Sequence, residues 1–317
     1  MPHRYITFNS YLQNVFGTRV YRVPVDAGFT CPNRDGTRAW GGCTFCDERG
    51  SGAPTIKSEV SFKQQLDDGI ARVRRRFKAE KFLAYFQAFS NTYAPEAVLR
   101  RLYDVALEHP QISGLIIGTR PDCVPDNILA MLEEYSRRTF LWLELGLQSA
   151  FDETLAAINR AHTAREFFDA AARAKSRGLM VATHLIFGLP GETRSQMLET
   201  VRRVAACGVD AIKIHQLCVF RDTPMEADYL AGRLPLLSDT DYVELVADAL
   251  ELLPPQMIIM RLVAEGRKEE LIAPEWSFEK SRIMDLIDAE LDRRGTRQGF
   301  RYDGAAGCVA GAIPPEI

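Results

Sequence analysis

Short apolar runs alternate with longer amphipathic stretches along the first two thirds of the chain. The runs at residues 21–25, 82–89, 114–119, 140–147, 180–187 and 211–217 are apolar almost without interruption, as suits strands buried on both faces. Between them, residues 62–78, 95–108, 125–137, 164–177 and 194–207 carry apolar side chains at helical spacing. Pro95 and Pro125 suit first-turn positions, and Gly178 and Gly208 suit the residues just past helix ends.

Six repeats of strand then helix predict a parallel sheet with right-handed crossovers. We read the fold class as α/β, a partial (β/α)6 TIM-type barrel with a C-terminal helical extension. Chemistry in such folds gathers at the carboxyl ends of the strands. After residue 222 the pattern changes to helical stretches at 239–252 and 276–294, one apolar run at 256–262 and a Gly-rich tail. Residues 1–222 are therefore expected to form the barrel, N-terminal segment included, and 223–317 an extension packed on it.

A length of 317 residues and 46% hydrophobic content support a packed interior, and a net charge of −3 argues against a general polyanion binder. No apolar run reaches the ~18 residues of a membrane span. The first residues lack the apolar segment and cleavage site of a secretory signal. The seven cysteines are odd in number, three clustered and four scattered, which is no disulfide framework. A cytoplasmic protein with no membrane association is expected.

Three of those cysteines carry the chemistry. Cys31, Cys43 and Cys46 form a C-x11-C-x2-C pattern in GFTCPNRDGTRAWGGCTFCDERG, directly after the first strand and so on the rim where active groups belong. Thiolates are the usual ligands of iron–sulfur clusters. Three of them hold three irons of a cubane and leave the fourth open to an outside molecule. Gly36, Gly41 and Gly42 let the loop bend, and Phe45 would shield one side. The alternative is a zinc knuckle. A closed zinc site wants four ligands, and here the fourth would come from Asp35, Asp47, Glu48 or a distant Cys218 or Cys308.

The cysteine loop is followed in order by ELGLQS (144–149), INRAHT (158–163) and HLIFGLPGET (184–193). This series resembles the radical S-adenosylmethionine (radical SAM) superfamily and, within it, the Elongator-catalytic-subunit-like branch. YRVPVDAGFTCPNRDG, YFQAFSNTYAP, IKIHQL and LIAPEWS look like the YhcC-type group of that superfamily. The likeness runs from about Tyr5 to about Gly299. It implies a 4Fe–4S cluster on Cys31, Cys43 and Cys46, with SAM on the fourth iron. It further implies reductive cleavage of SAM to methionine and a 5′-deoxyadenosyl radical, fed by an electron donor such as flavodoxin or ferredoxin. The eleven-residue first interval departs from the commoner C-x3-C-x2-C and is expected for this branch.

The same likeness suggests where SAM would lie. Phe86–Gln87–Ala88 stand where the superfamily often has Gly-Gly-Glu, which leaves the role of Gln87 open. Glu144, Gly146 and Gln148 share one strand face by period two, and an inward carboxylate and amide need partners. SAM hydroxyls or its amine are one choice and a bracing polar network is the other. Ser149 joins this set. The Arg160 fork suits the SAM carboxylate or a helix-end salt bridge. Gly188 and Gly191 allow a backbone to approach the adenine, or simply form a turn with Thr193 as helix cap. Asn91, Thr92, Tyr93, His184, His215 and Gln216 are candidates for substrate contact. Cys218 on the same rim is either a hydrogen donor or a small buried hydrophobe. Cys123 and Cys207 read as structural.

Two basic stretches, 71–81 and 293–301, are either phosphate-tracking patches or solvated helix faces. The Elongator-like branch implies transfer RNA as partner, at the wobble uridine. No acetyltransferase domain accompanies it in this chain, so acetyl transfer is not expected. The leading expectation is a radical SAM enzyme modifying a tRNA nucleoside. The alternatives are a radical SAM enzyme acting on a small metabolite or peptide, and a non-catalytic metal-binding scaffold.

Overall fold

The computed structural model describes residues 3–50, 60–264, 266 and 269–304. Helix α1 (Phe8–Phe16) comes first. Strand and helix then follow in turn as β1 (Val20–Val25), α2 (Phe62–Phe77), β2 (Lys81–Phe86), α3 (Glu96–Glu108), β3 (Ile112–Thr119), α4 (Asp126–Arg138) and β4 (Phe140–Gln148). The series continues with α5 (Asp152–Ala157), α6 (Ala164–Ser176), β5 (Met180–Phe187), α7 (Arg194–Ala206) and β6 (Ala211–Gln216). Beyond these lie β7 (Val219–Phe220), α8 (Pro224–Leu230), α9 (Asp239–Leu252), β8 (Ile258–Arg261), β9 (Leu271–Ala273) and α10 (Lys280–Arg294).

The main sheet has the order β1-β2-β3-β4-β5-β6-β8, and every neighbouring pair is parallel. The sheet therefore has seven strands where six were expected. The apolar run at 256–262 is short and far from the other repeats in sequence, but Ile258 and Ile259 pair with Ala211 and Ile212 and extend the sheet. The small β7–β9 ribbon is antiparallel.

Most helix boundaries follow local chemistry. Capping boxes at Thr163–Glu166 and Thr193–Gln196 start α6 and α7. Gly178 and Gly208, both at φ +74°, follow α6 and α7 as expected. Pro95 and Pro125 sit at the N-caps of α3 and α4, one residue ahead of the expected first turn. β2 stops at Phe86, three residues short of the expected end, because the chain turns through Phe89 at φ +60°.

Strand alternation divides the interior. Phe82, Ala84 and Phe86 of β2 and Leu141, Leu143, Leu145 and Leu147 of β4 face the helical layer. Leu83, Ile116, Trp142, Ala182, Ala211 and Met260 face the inside of the curl. Helix α1, which the mixed polar and aromatic N-terminus did not reveal, closes the amino end of the barrel. Its Phe8 and Leu12 are buried against the inward residues, and the Phe8 and Tyr11 rings stand edge-on to Trp142 at 5.9 and 5.8 Å. Thr7 caps α1 and bridges to Ile259 on the edge strand β8. The N-terminal segment thus plugs the barrel floor and ties its last strand.

This plug predicts a stability cost far from any chemistry. Leu12→Ala should lower the unfolding free energy by ~2–5 kcal/mol, read from urea denaturation followed by tryptophan emission. A change below ~0.5 kcal/mol would mean that α1 does not pack as described.

Candidate functional site

The loop after β1 leaves the carboxyl end of the strand and carries Cys31, Cys43 and Cys46 into one cavity of about 590 Å³ at the barrel mouth. The segment INRAHT holds this loop. The Asn159 side-chain amide donates to the Trp40 and Gly42 carbonyls at 2.9 and 2.7 Å, and the Thr44 N–H donates to the Ile158 carbonyl at 3.0 Å. Gly42 is favoured by its φ of +78°, and a Cβ there would also lie 2.9 Å from the Arg34 guanidinium. That guanidinium donates to the Cys46 sulfur at 3.4 Å, and Arg160 and Asn33 each donate to the Cys43 sulfur at 3.5 Å.

Three thiols, two of them receiving guanidinium or amide donors, suit an anionic, thiolate-held cluster, whose properties depend on hydrogen bonds to sulfur. They do not suit a single ion. Among the described residues no group of three or more His, Cys, Asp or Glu could hold one metal ion. Cys308, named above as a distant fourth zinc ligand, lies outside the described residues.

Five of the residues expected at SAM share this cavity with the cysteines: Phe45, Gln87, Glu144, Gln148 and Arg160. Gln148 ends β4 at φ +76°, an unusual conformation for a side-chain-bearing residue, and the β4–β5 register shifts between Gly146 and Gln148. Its Oε1 is buried with no partner in the protein. Gly146 leaves room for two side-chain ends, since a Cβ there would lie 2.6 Å from the Arg160 guanidinium and 2.8 Å from the Gln148 amide and would displace them. Arg160 donates to the Gly146 carbonyl at 2.8 Å and to His162 Nε2 at 2.9 Å.

Two expected residues lie off the cavity lining. The Ser149 hydroxyl donates to Glu192 and accepts from the Phe151 N–H at 3.1 Å, which makes it part of a turn. Gly188 packs towards Leu237, and its N–H donates to the Met197 sulfur at 3.1 Å. Of the substrate candidates, His184, His215 and Cys218 line the cavity, while Thr92 and Tyr93 line a separate one. Asn91 braces the Ala88 and Gly118 carbonyls, and Gln216 donates to the Ala264 carbonyl and Ser277. Burial pushes the Cys218 thiol up to about 12, so it stays protonated near neutrality.

The cavity floor holds a charged layer that the sequence reading largely missed. Glu144 Oε2 accepts from Tyr85 at 2.7 Å, Lys213 at 2.5 Å and His184 at 3.0 Å. Lys213 also reaches the Tyr85 hydroxyl at 2.9 Å. Burial alone would raise the Glu144 carboxyl, but Lys213 and His184 overcome it and hold the group well below the usual range. Glu144 Oε1 is buried without a partner. The signal for Lys213 was present in IKIH, where a charge interrupts an apolar strand. Arg120 and Asp122 of TRPD form a bidentate pair at 2.9 Å beside the cysteine loop.

Neither basic stretch lies at this mouth. Arg74, Arg75, Arg76 and Lys78 are exposed where α2 ends and β2 begins, at the amino end of the barrel. The second stretch packs at the same end, with Gln298 donating to the Pro254 and Met257 carbonyls. Arg294 and Arg301 are paired there with Asp248 and Glu251.

Family models agree with this architecture. The radical SAM superfamily model matches residues 31–204, and the radical SAM C-terminal domain matches residues 209–293. YtqA of Bacillus subtilis (strain 168) is 44% identical over 93% of this chain and 92% of its own length. YhcC of Escherichia coli (strain K12) is 40% identical over 92% of this chain and 93% of its own. The solved structure of the archaeal Methanocaldococcus infernus Elp3 with an N-terminal deletion shares the fold. It has a TM-score of 0.63 and 17% identity, and the match covers 88% of this chain and 64% of that one. The chain belongs to the radical SAM superfamily and is an enzyme built on an α/β partial TIM-type barrel. Membership carries with it SAM-cleaving radical chemistry and the superfamily's SAM and 4Fe–4S requirement. Among the described residues no helix is long and apolar enough to cross a membrane.

The half-buried imidazole of His215 gives a pH test. Burial first, and the Arg261 charge second, push it down to about 3. Between that value and ~6.5 the unfolded chain binds a proton that the folded one refuses, so stability falls as pH drops through this window. Wild type should lose ~1–2 kcal/mol from this group between pH 7 and 5. In His215→Asn that part of the loss, read as the change in urea midpoint, should vanish.

Proposed function

We propose that Cys31, Cys43 and Cys46 ligate the 4Fe–4S cluster and that the cavity beneath them binds SAM and a substrate. The observation that carries this reading is the delivery of all three cysteines, with Gln148, Arg160 and Glu144, to one cavity at the carboxyl ends of the strands. When bound, the cluster supplies the electron that cleaves SAM to methionine and a 5′-deoxyadenosyl radical. The protein's own groups orient and protect. Arg34, Asn33 and Arg160 direct N–H groups at the cysteine sulfurs. The unpartnered Oε1 atoms of Gln148 and Glu144 offer buried acceptors to hydroxyl or amine groups of SAM. Phe45 covers one side of the site and excludes water, which protects a reactive intermediate. Arg160 braces Gly146 and His162, a role that fits holding the SAM pocket in shape beside its expected reach to a carboxylate.

For the substrate, the Elongator-like motif series supports a tRNA nucleoside, reached from the mouth. A second reading, a small metabolite, draws support from the position of both basic stretches at the opposite end of the barrel.

Anaerobic reconstitution should give about four irons per chain, and reduction in the presence of SAM should yield 5′-deoxyadenosine. Each of Cys31→Ala, Cys43→Ala and Cys46→Ala should abolish both iron uptake and 5′-deoxyadenosine. Retention of the cluster in any one of them would overturn the ligand assignment. For the substrate, mass spectrometry of tRNA nucleosides from cells lacking the gene should show a lost modification. An unchanged profile together with altered metabolites would favour the small-molecule reading.

A further inference from the structure

Arg22 on β1 and Arg261 on β8 come from the two edges of the curled sheet. Arg261 pairs in register with Lys213 on the neighbouring strand and lines the cavity. Arg22 lies beneath, its guanidinium over the Tyr85 and Phe8 rings at 5.7 and 5.5 Å, and its Nη1 is buried with no hydrogen-bond partner. Among the described residues neither arginine makes a side-chain hydrogen bond or ion pair. The floor thus gathers three cationic side chains, Arg22, Lys213 and Arg261, around one carboxylate, Glu144, whose Oε2 is taken by Lys213, Tyr85 and His184. The other carboxylates in the lining, Asp47 and Glu270, are bridged to Arg49.

Like charges converging out of water are unfavourable unless something answers them. Their mutual effect is visible in Lys213, which is buried, and in Arg22, which is half-buried. Burial and the Arg261 charge lower the Arg22 guanidinium. Burial likewise lowers Lys213, against the pull of Glu144, with Arg22 and Arg261 adding to the effect. A planar guanidinium left open towards a cavity is the group best shaped to take a carboxylate or a phosphate.

We propose that the cavity floor is an anion site in which Arg261, backed by the field of Arg22 and Lys213, binds a carboxylate or phosphate group of the substrate. The inference rests on the proposed function only in taking this cavity as the reaction chamber. It implies that the molecule undergoing hydrogen abstraction, or a small co-substrate, carries a compact anion that reaches below the cysteine loop.

The test is thermal denaturation of the full-length, cluster-reconstituted protein titrated with sodium phosphate or sodium acetate, with chloride holding ionic strength constant. One of the two anions should raise the midpoint saturably, and which one does so assigns phosphate or carboxylate as the recognised group. Arg261→Gln should weaken that binding roughly ten- to hundred-fold. Without anion, the same variant should melt no lower than wild type, because a like charge has been removed. Arg22→Gln should weaken binding in the same direction, and Arg261→Lys should restore part of it. The anion effect should persist at saturating SAM. Its abolition by SAM would give the site to the SAM carboxylate, and a response to neither anion, or one unchanged in Arg261→Gln, would equally overturn the proposal. Iron content and 5′-deoxyadenosine formation, measured on the same samples, report separately on the proposed function.

Discussion

One carboxylate oxygen inside the barrel organises the site. Glu144 Oε2 receives donors from β2, β5 and β6, so that Tyr85, His184 and Lys213 are all fixed relative to β4. Inside a protein such a network is stronger than in water and correspondingly costly when incomplete. Removing one partner leaves a buried charge unanswered, which typically costs 3–5 kcal/mol (an order-of-magnitude figure). The curl of the sheet makes this network possible, since a flat sheet would not bring β2 and β6 side chains to one point.

The barrel is layered along its axis. Aromatic and aliphatic side chains around Trp142 fill the amino end, with α1 as a plug. The Glu144 network forms the middle layer. Above it lie the glycines Gly118 and Gly146, whose missing side chains open the cavity, and then the cysteine loop. Each layer depends on the one below: an apolar plug keeps water from the charged layer, and the charged layer is the floor on which a polar ligand rests.

Strained backbone gathers around this cavity. Phe89, Gln148, Asn159 and Ala161 all have positive φ without being glycine. Such conformations persist only where the surroundings over-determine them, and here each lies beside the cysteine loop or in a segment that clasps it. Asn159 shows the connection directly, since its left-handed backbone lets its side chain reach two carbonyls of that loop.

The sequence carries the strand–helix alternation, the parallel sheet, the cysteine loop on the active rim and the family, because periodicity, caps and spaced motifs are local. It also marked Glu144 and Gln148 as polar residues in apolar surroundings, and Arg160 by the fit of its fork to a carboxylate. It placed Ser149 and Gly188 among the SAM residues, whereas a hydrogen bond to Glu192 and packing on Leu237 take them off the cavity wall. Folding reveals that Ile258–Arg261 completes the sheet, that α1 seals it, and that Arg22, Lys213 and Arg261 meet. Those residues are separated by up to most of the chain, and an inward charge on one strand has no local signature of the charge that faces it. Which end of the barrel carries the basic stretches was likewise invisible, because composition records charge but not the direction in which a folded strand delivers it.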